Sequence, residues 1–76
     1  MKFKIKGDDR PLLISSYEGL VHYLNGTSQT PSKNIEDFMI NYAERALEYK
    51  NLEIATSDVE SFVEDLMESG EVVRLD

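Results

Sequence analysis

The chain opens on a strict alternation of polar and apolar residues. Lys2-Phe3-Lys4-Ile5-Lys6 has the period of two that marks a half-buried strand. Phe3 and Ile5 are expected on the core side and the three lysines on the solvent side. Gly7-Asp8-Asp9-Arg10-Pro11 interrupts the pattern with residues that favour turns. Leu12-Leu13-Ile14 then returns as a second strand. The resulting hairpin has a loop longer than two residues, so turn type alone does not fix its register.

The pattern next changes to a helical period. Ser15-Ser16-Tyr17-Glu18 reads as a capping box, Ser15 serving the Glu18 amide and Glu18 reaching back. Tyr17, Leu20, Val21 and Leu24 follow at helical spacing, with Gly19 as a weak point. Asn25-Gly26, a pair that tolerates left-handed backbone, is expected to end this helix. A polar loop runs to Lys33. The longest helix is predicted from about Ile35 to Lys50, with Asn34 as N-cap and Asp37 at the third position. Its apolar residues are Ile35, Phe38, Met39, Ile40, Tyr42, Ala43, Ala46, Leu47 and Tyr49. They spread over about 200° of the helical wheel, which predicts a central helix covered from two sides. Where the other elements leave that arc bare, a partner chain is expected to cover it.

Leu52-Glu53-Ile54 reads as a short extended link. Ser57-Asp58-Val59-Glu60 is a second capping box. Val59, Phe62, Val63, Leu66 and Met67 form an apolar stripe on a helix that ends near Ser69, with Gly70 as its stop. Glu71-Val72-Val73-Arg74-Leu75 closes the chain as a strand rich in β-branched residues. The expected fold is a small single α+β domain over residues 1–76. Its order is ββ-α-α-α-β, with three helices packed on a small antiparallel sheet formed by the N-terminal hairpin and the C-terminal strand.

Composition narrows the classes of function. A chain of 76 residues buries only about 60% of its unfolded surface. A deep substrate cleft alongside an independent core is therefore not expected. The absence of cysteine removes disulfides and thiolate metal sites and fits a cytoplasmic setting. No apolar run reaches the length of a membrane span, and the alternating N-terminus is not a signal peptide. No cofactor motif occurs, and Asn25-Gly26-Thr27 matches a glycosylation sequon only as a helix stop. His22 is the sole histidine and lies off the apolar stripe, with no nucleophile and orienting carboxylate beside it in sequence. The chain is therefore read as non-enzymatic.

Charge changes the picture most. Residues 1–10 carry +2, residues 51–76 carry −7, and the whole chain carries −7. Glu60, Glu64 and Glu68 recur at i, i+4 and i+8 on the last helix, and Asp65 adds a further carboxylate. The leading reading is a small regulator or inhibitor that binds a basic protein surface through this acidic face, with mimicry of nucleic acid as one form of it. Tyr23 and Tyr49 are candidate aromatic anchors. Membrane and nucleic-acid partners are not expected, and the chain is read as a monomer or homodimer.

The stretch Ser57–Leu75, about a quarter of the chain, resembles the helix-then-strand end of winged-helix domains. That resemblance implies a nucleic-acid-binding module whose helix enters a DNA groove. Here the exposed side of the helix is acidic and no second wing strand follows. The nucleic-acid alternative therefore rests on the N-terminal strand, through Lys2, Lys4, Lys6 and Arg10. Guarding an exposed edge strand, or plain solubility, is the favoured reading of those lysines.

Overall fold

A computed structural model of the protein describes residues 1–76. Six elements follow in the expected order: β1 (Lys2–Ile5), β2 (Leu12–Leu13), α1 (Tyr17–Gly26), α2 (Ile35–Lys50), α3 (Val59–Ser69) and β3 (Val72–Arg74). The three strands form one antiparallel sheet in the order β2-β1-β3. Lys2 pairs with Leu13, Lys4 with Val73 and Ile5 with Val72. The pairing continues past the strand ends, where the Leu75 amide donates to the Lys2 carbonyl at 2.8 Å and the Lys6 amide to the Glu71 carbonyl at 3.0 Å.

This order corrects the expectation that the lysines guard an edge. β1 is the central strand, and its backbone is paired on both sides. The edges are β2 and β3, of 2 and 3 residues. Their shortness itself leaves little for another chain to pair with.

The helix starts depend on which of two adjacent residues caps. In α1 the N-cap is Ser16, not Ser15, and its hydroxyl accepts from the Gly19 amide at 3.0 Å. The shift by one residue places Tyr17 at the first helical position, where its ring meets Phe3 edge-on at 6.1 Å. It also places Gly19 against Ile14, whose Cγ2 would lie 3.2 Å from an added Cβ. Packing thus selects the cap. In α3 the N-cap is Asp58, not Ser57, and its carboxylate accepts from the Ser61 amide at 2.7 Å. An ionised acceptor outcompetes a neighbouring hydroxyl. The Ser61 amide, then the Ser61 hydroxyl, hold the Asp58 carboxyl below its ordinary 3.8. Asn34 caps α2 as expected, accepting from Asp37 at 2.8 Å.

The helix ends divide similarly. Gly70 stops α3 in the left-handed region at φ +85°, and the Glu71 amide returns to the Leu66 carbonyl at 3.0 Å. Asn51 ends α2 in the same way at φ 55°, with the Leu52 amide bonded to the Ala46 carbonyl. α1 does not use left-handed backbone. It runs through Gly26 to a C-cap at Thr27. Asn25 acts elsewhere, accepting from the Ser32 amide at 2.8 Å and donating to its carbonyl at 3.1 Å, which folds the polar loop back on the helix.

Phe3, Leu20, Val21, Phe38, Met39, Phe62, Val63, Leu66 and Val72 form one core cluster between the helices and one face of the sheet. Its centre is α3, where Phe62, Val63 and Leu66 are fully buried. The Phe62 ring lies 6.3 Å from Phe38 and 5.6 Å from Tyr42, both edge-on. α2 is not the doubly covered helix that its apolar arc suggested. Ile40, Leu47 and Tyr49 stand 47%, 52% and 76% exposed. There are too few elements to wrap a second side of α2.

Two mutational outcomes test this packing in urea unfolding. Phe62→Ala is expected to cost about 3–5 kcal/mol, a large share of a small domain's stability. Ser16→Ala should cost about 1 kcal/mol and Ser15→Ala no more than about 0.5, whereas equal costs would contradict the assigned cap.

Candidate functional site

The apolar stripe of α3 fixes where its carboxylates point. Because Phe62, Val63 and Leu66 are buried, Glu60, Glu64 and Glu68 emerge on the opposite, exposed side. None of the three takes part in an ion pair; the pairs in the chain are Met1–Asp76, Arg10–Asp8, His22–Glu18, Lys50–Glu71 and Arg74–Asp76. Their spacing of four residues sets like charges against each other, at about 0.2–0.5 kcal/mol per neighbouring pair. Glu60 lies in the first turn, where the helix dipole favours a carboxylate. Glu68 lies in the last turn, which holds no basic residue, so both the dipole and Glu64 oppose it.

Asp65 is not part of that outward face. It is half-buried, and its Oδ2 accepts from the Ala55 amide at 2.7 Å. It fastens the link between α2 and α3. The other end of the link is held by Lys50, whose Nζ donates to Glu71 Oε1 at 2.7 Å. The hydrogen bond that Lys50 donates to Glu71 raises the Lys50 pKa above its ordinary 10.5. Close by, burial and then the Glu71 charge raise the Tyr42 hydroxyl above its ordinary 10.0.

The anchors proposed from sequence are separated. Tyr23 is half-buried on α1. Tyr49 is exposed on α2, in a concavity shared with Tyr42, Arg45, Ala46 and Lys50. Neither shares a concavity with Glu60, Glu64 or Glu68.

The two concavities beside the link were not read from sequence as a site. One, of about 270 Å³, lies between α2 and the link. Ile40, Leu47, Leu52 and Ile54 line it, with Glu44 and Glu53 alongside. The other, of about 280 Å³, lies across the link and adds Asp65, Glu68 and Ser69. Both are small and open compared with clefts that enclose ligands. The available signal was the excess width of the α2 arc, with Ile40 and Leu47 at its edge.

Lys2, Lys4, Lys6 and Arg10 lie on or beside the sheet. Lys2 and Lys4 share the outer face of the sheet with their register partners Leu13 and Val73, since Phe3 and Val72 point into the core. Leu13 is 81% exposed, so no element covers this face. Lys6 is exposed just past β1, and Arg10 sits in the hairpin turn beside Asp8 at 3.8 Å. His22 is exposed on α1, 3.7 Å from Glu18. No three His, Asp or Glu side chains converge as a metal site, and no helix is long and apolar enough to cross a membrane.

No protein-family model, curated protein or solved structure matches the chain.

The fastening of the link predicts an alkaline limit to stability. Folding raises the pKa of both Tyr42 and Lys50. Each contribution is whole below the ordinary values of 10.0 and 10.5 and is lost as pH rises through the folded values. Thermal midpoints should fall above that range, and Tyr42→Phe with Lys50→Met should flatten the fall. An unchanged slope in the double variant would exclude these groups as its cause.

Proposed function

We propose that the chain is a non-enzymatic, cytoplasmic interaction module that binds a protein with a basic surface, as a regulator or inhibitor. The observation that carries this reading is the exposed row Glu60, Glu64 and Glu68, unpaired within the chain and partly opposed by its own helix. Carboxylates confer solubility from any exposed position. Placing them in a self-repelling row gains nothing for the fold but concentrates negative potential along one edge. Successive carboxylates rise about 6 Å along the helix axis, a ladder of negative charge that a nucleic-acid-binding protein is built to meet. A basic partner would relieve the repulsion and associate faster at low salt. Lys2 and Lys4 lie on the outer face of the sheet, so a partner can meet the acidic row without meeting those two lysines.

Retention from the source organism's lysate on immobilised protein, at low and moderate salt, tests the reading. The wild type should retain a basic protein whose capture weakens with salt, and Glu60→Gln/Glu64→Gln/Glu68→Gln should lose it. The same triple variant should be more stable than wild type, by about 0.4–1 kcal/mol from the two relieved neighbour pairs. Equal retention by the triple variant would overturn the assignment of the face. Nucleic acid retained by both proteins would move the function to Lys2, Lys4, Lys6 and Arg10 on the sheet side.

A further inference from the structure

The second side of α2 is left without a covering element at Ile40 and Leu47. Ile40 and Leu47 are seven residues apart, so they project from nearly the same side of the helix, about 10 Å apart along its axis. Leu52 and Ile54 of the link face them across a groove of about 270 Å³. The groove is held open by bonds already described: the Schellman turn at Asn51, the Lys50–Glu71 pair, and Asp65 on the Ala55 amide. It is therefore a formed feature of the fold and not slack in the chain.

Its borders are acidic. Glu44 projects from α2 between Ile40 and Leu47, and Glu53 projects from the link. Neither takes part in any ion pair of the chain. Glu68 continues the negative border across the link. An apolar strip bordered by unpaired carboxylates has one complement, an apolar strip bordered by cations. A second copy of the chain placing the same groove face to face would bring Glu44 and Glu53 against their own images. Each copy also carries −7, so self-association is opposed at long range as well.

We propose that this groove docks an amphipathic helical segment of a partner protein, with apolar residues at i, i+3 or i+4 and i+7 and Lys or Arg flanking them. Two anchors spaced by two turns match Ile40 and Leu47, as in other helix-in-groove recognition. The cations meet Glu44 on one side and Glu53 on the other. The site meets the outward row of α3 only at Glu68, across the link, and its occupant is defined by apolar anchors as well as by charge.

The test uses a fluorescent peptide of leucine and lysine patterned as an amphipathic helix, titrated into the full chain. A second peptide has every leucine replaced by glutamine at the same charge. The first should bind at least about tenfold more tightly than the second, because only it fills the groove. Leu47→Gln should weaken the first peptide by about tenfold. Ile40→Gln should do likewise, and both residues are exposed enough for the fold to survive, checked by thermal melting. Amide chemical shifts should move at Ile40, Leu47, Leu52 and Ile54. Shifts confined to Glu60, Glu64 and Glu68 would overturn the groove while leaving the basic-partner reading intact. No binding, or equal binding of the two peptides, would also overturn it. Concentration-dependent self-association abolished by Leu47→Gln would assign the groove to a second copy and overturn it too.

Discussion

The fold hangs on the inward face of α3. Phe62, Val63 and Leu66 are the side chains that every other layer meets: Phe38 and Tyr42 of α2 against the Phe62 ring, and Leu20, Val21, Phe3 and Val72 within the same cluster. Once that face is saturated, the orientation of everything else on α3 is determined. Its polar arc must face water, and its length and caps set where Gly70 turns the chain into β3. β3 then pairs antiparallel with one side of β1, and β2 takes the other side.

The same constraint explains what stays open. A domain of this size has enough elements to cover one side of each helix and one face of the sheet. α2, the longest helix, has more apolar surface than α1, α3 and the link can take up. Its second side is therefore bare at Ile40 and Leu47, as is the outer sheet face at Leu13. The two bare regions differ in their charge: carboxylates border the first, and Lys2 and Lys4 lie on the second.

Much of this was legible in the sequence. Period-two and period-3.6 patterns located all six elements, and Asn34, Gly70 and the antiparallel return of the last strand behaved as their residue types dictate. What failed did so where two neighbours offered equal local chemistry. Ser15 and Ser16, or Ser57 and Asp58, both fit a capping motif, and only the position of Phe3 and Ile14, or the strength of a charged acceptor, separates them. Strand order was another non-local matter, since nothing in Lys2-Phe3-Lys4-Ile5-Lys6 says whether it lies inside or at the edge of a sheet. The groove was half legible. The wide arc of α2 signalled surplus apolar surface, but which part stays bare depends on where the link is tied down by Asp65 and Lys50.

Asp65 and Glu68 show why a count of carboxylates is a poor guide to function. Three residues apart on one helix, they do opposite things. Asp65 is consumed by a backbone amide and belongs to the architecture. Glu68 has no partner, faces the negative end of its own helix and stands one turn from Glu64. An acidic residue kept only for solubility would be better placed near a helix N-terminus or beside a lysine. Glu68 is instead where the outward row of α3 meets the concavity shared with Glu53. Local energetics disfavour a carboxylate there, and the geometry of the acidic surface requires one if the row and the groove border are to be continuous. Glu68 is thus the position on α3 at which local stability and the continuity of the acidic surface disagree.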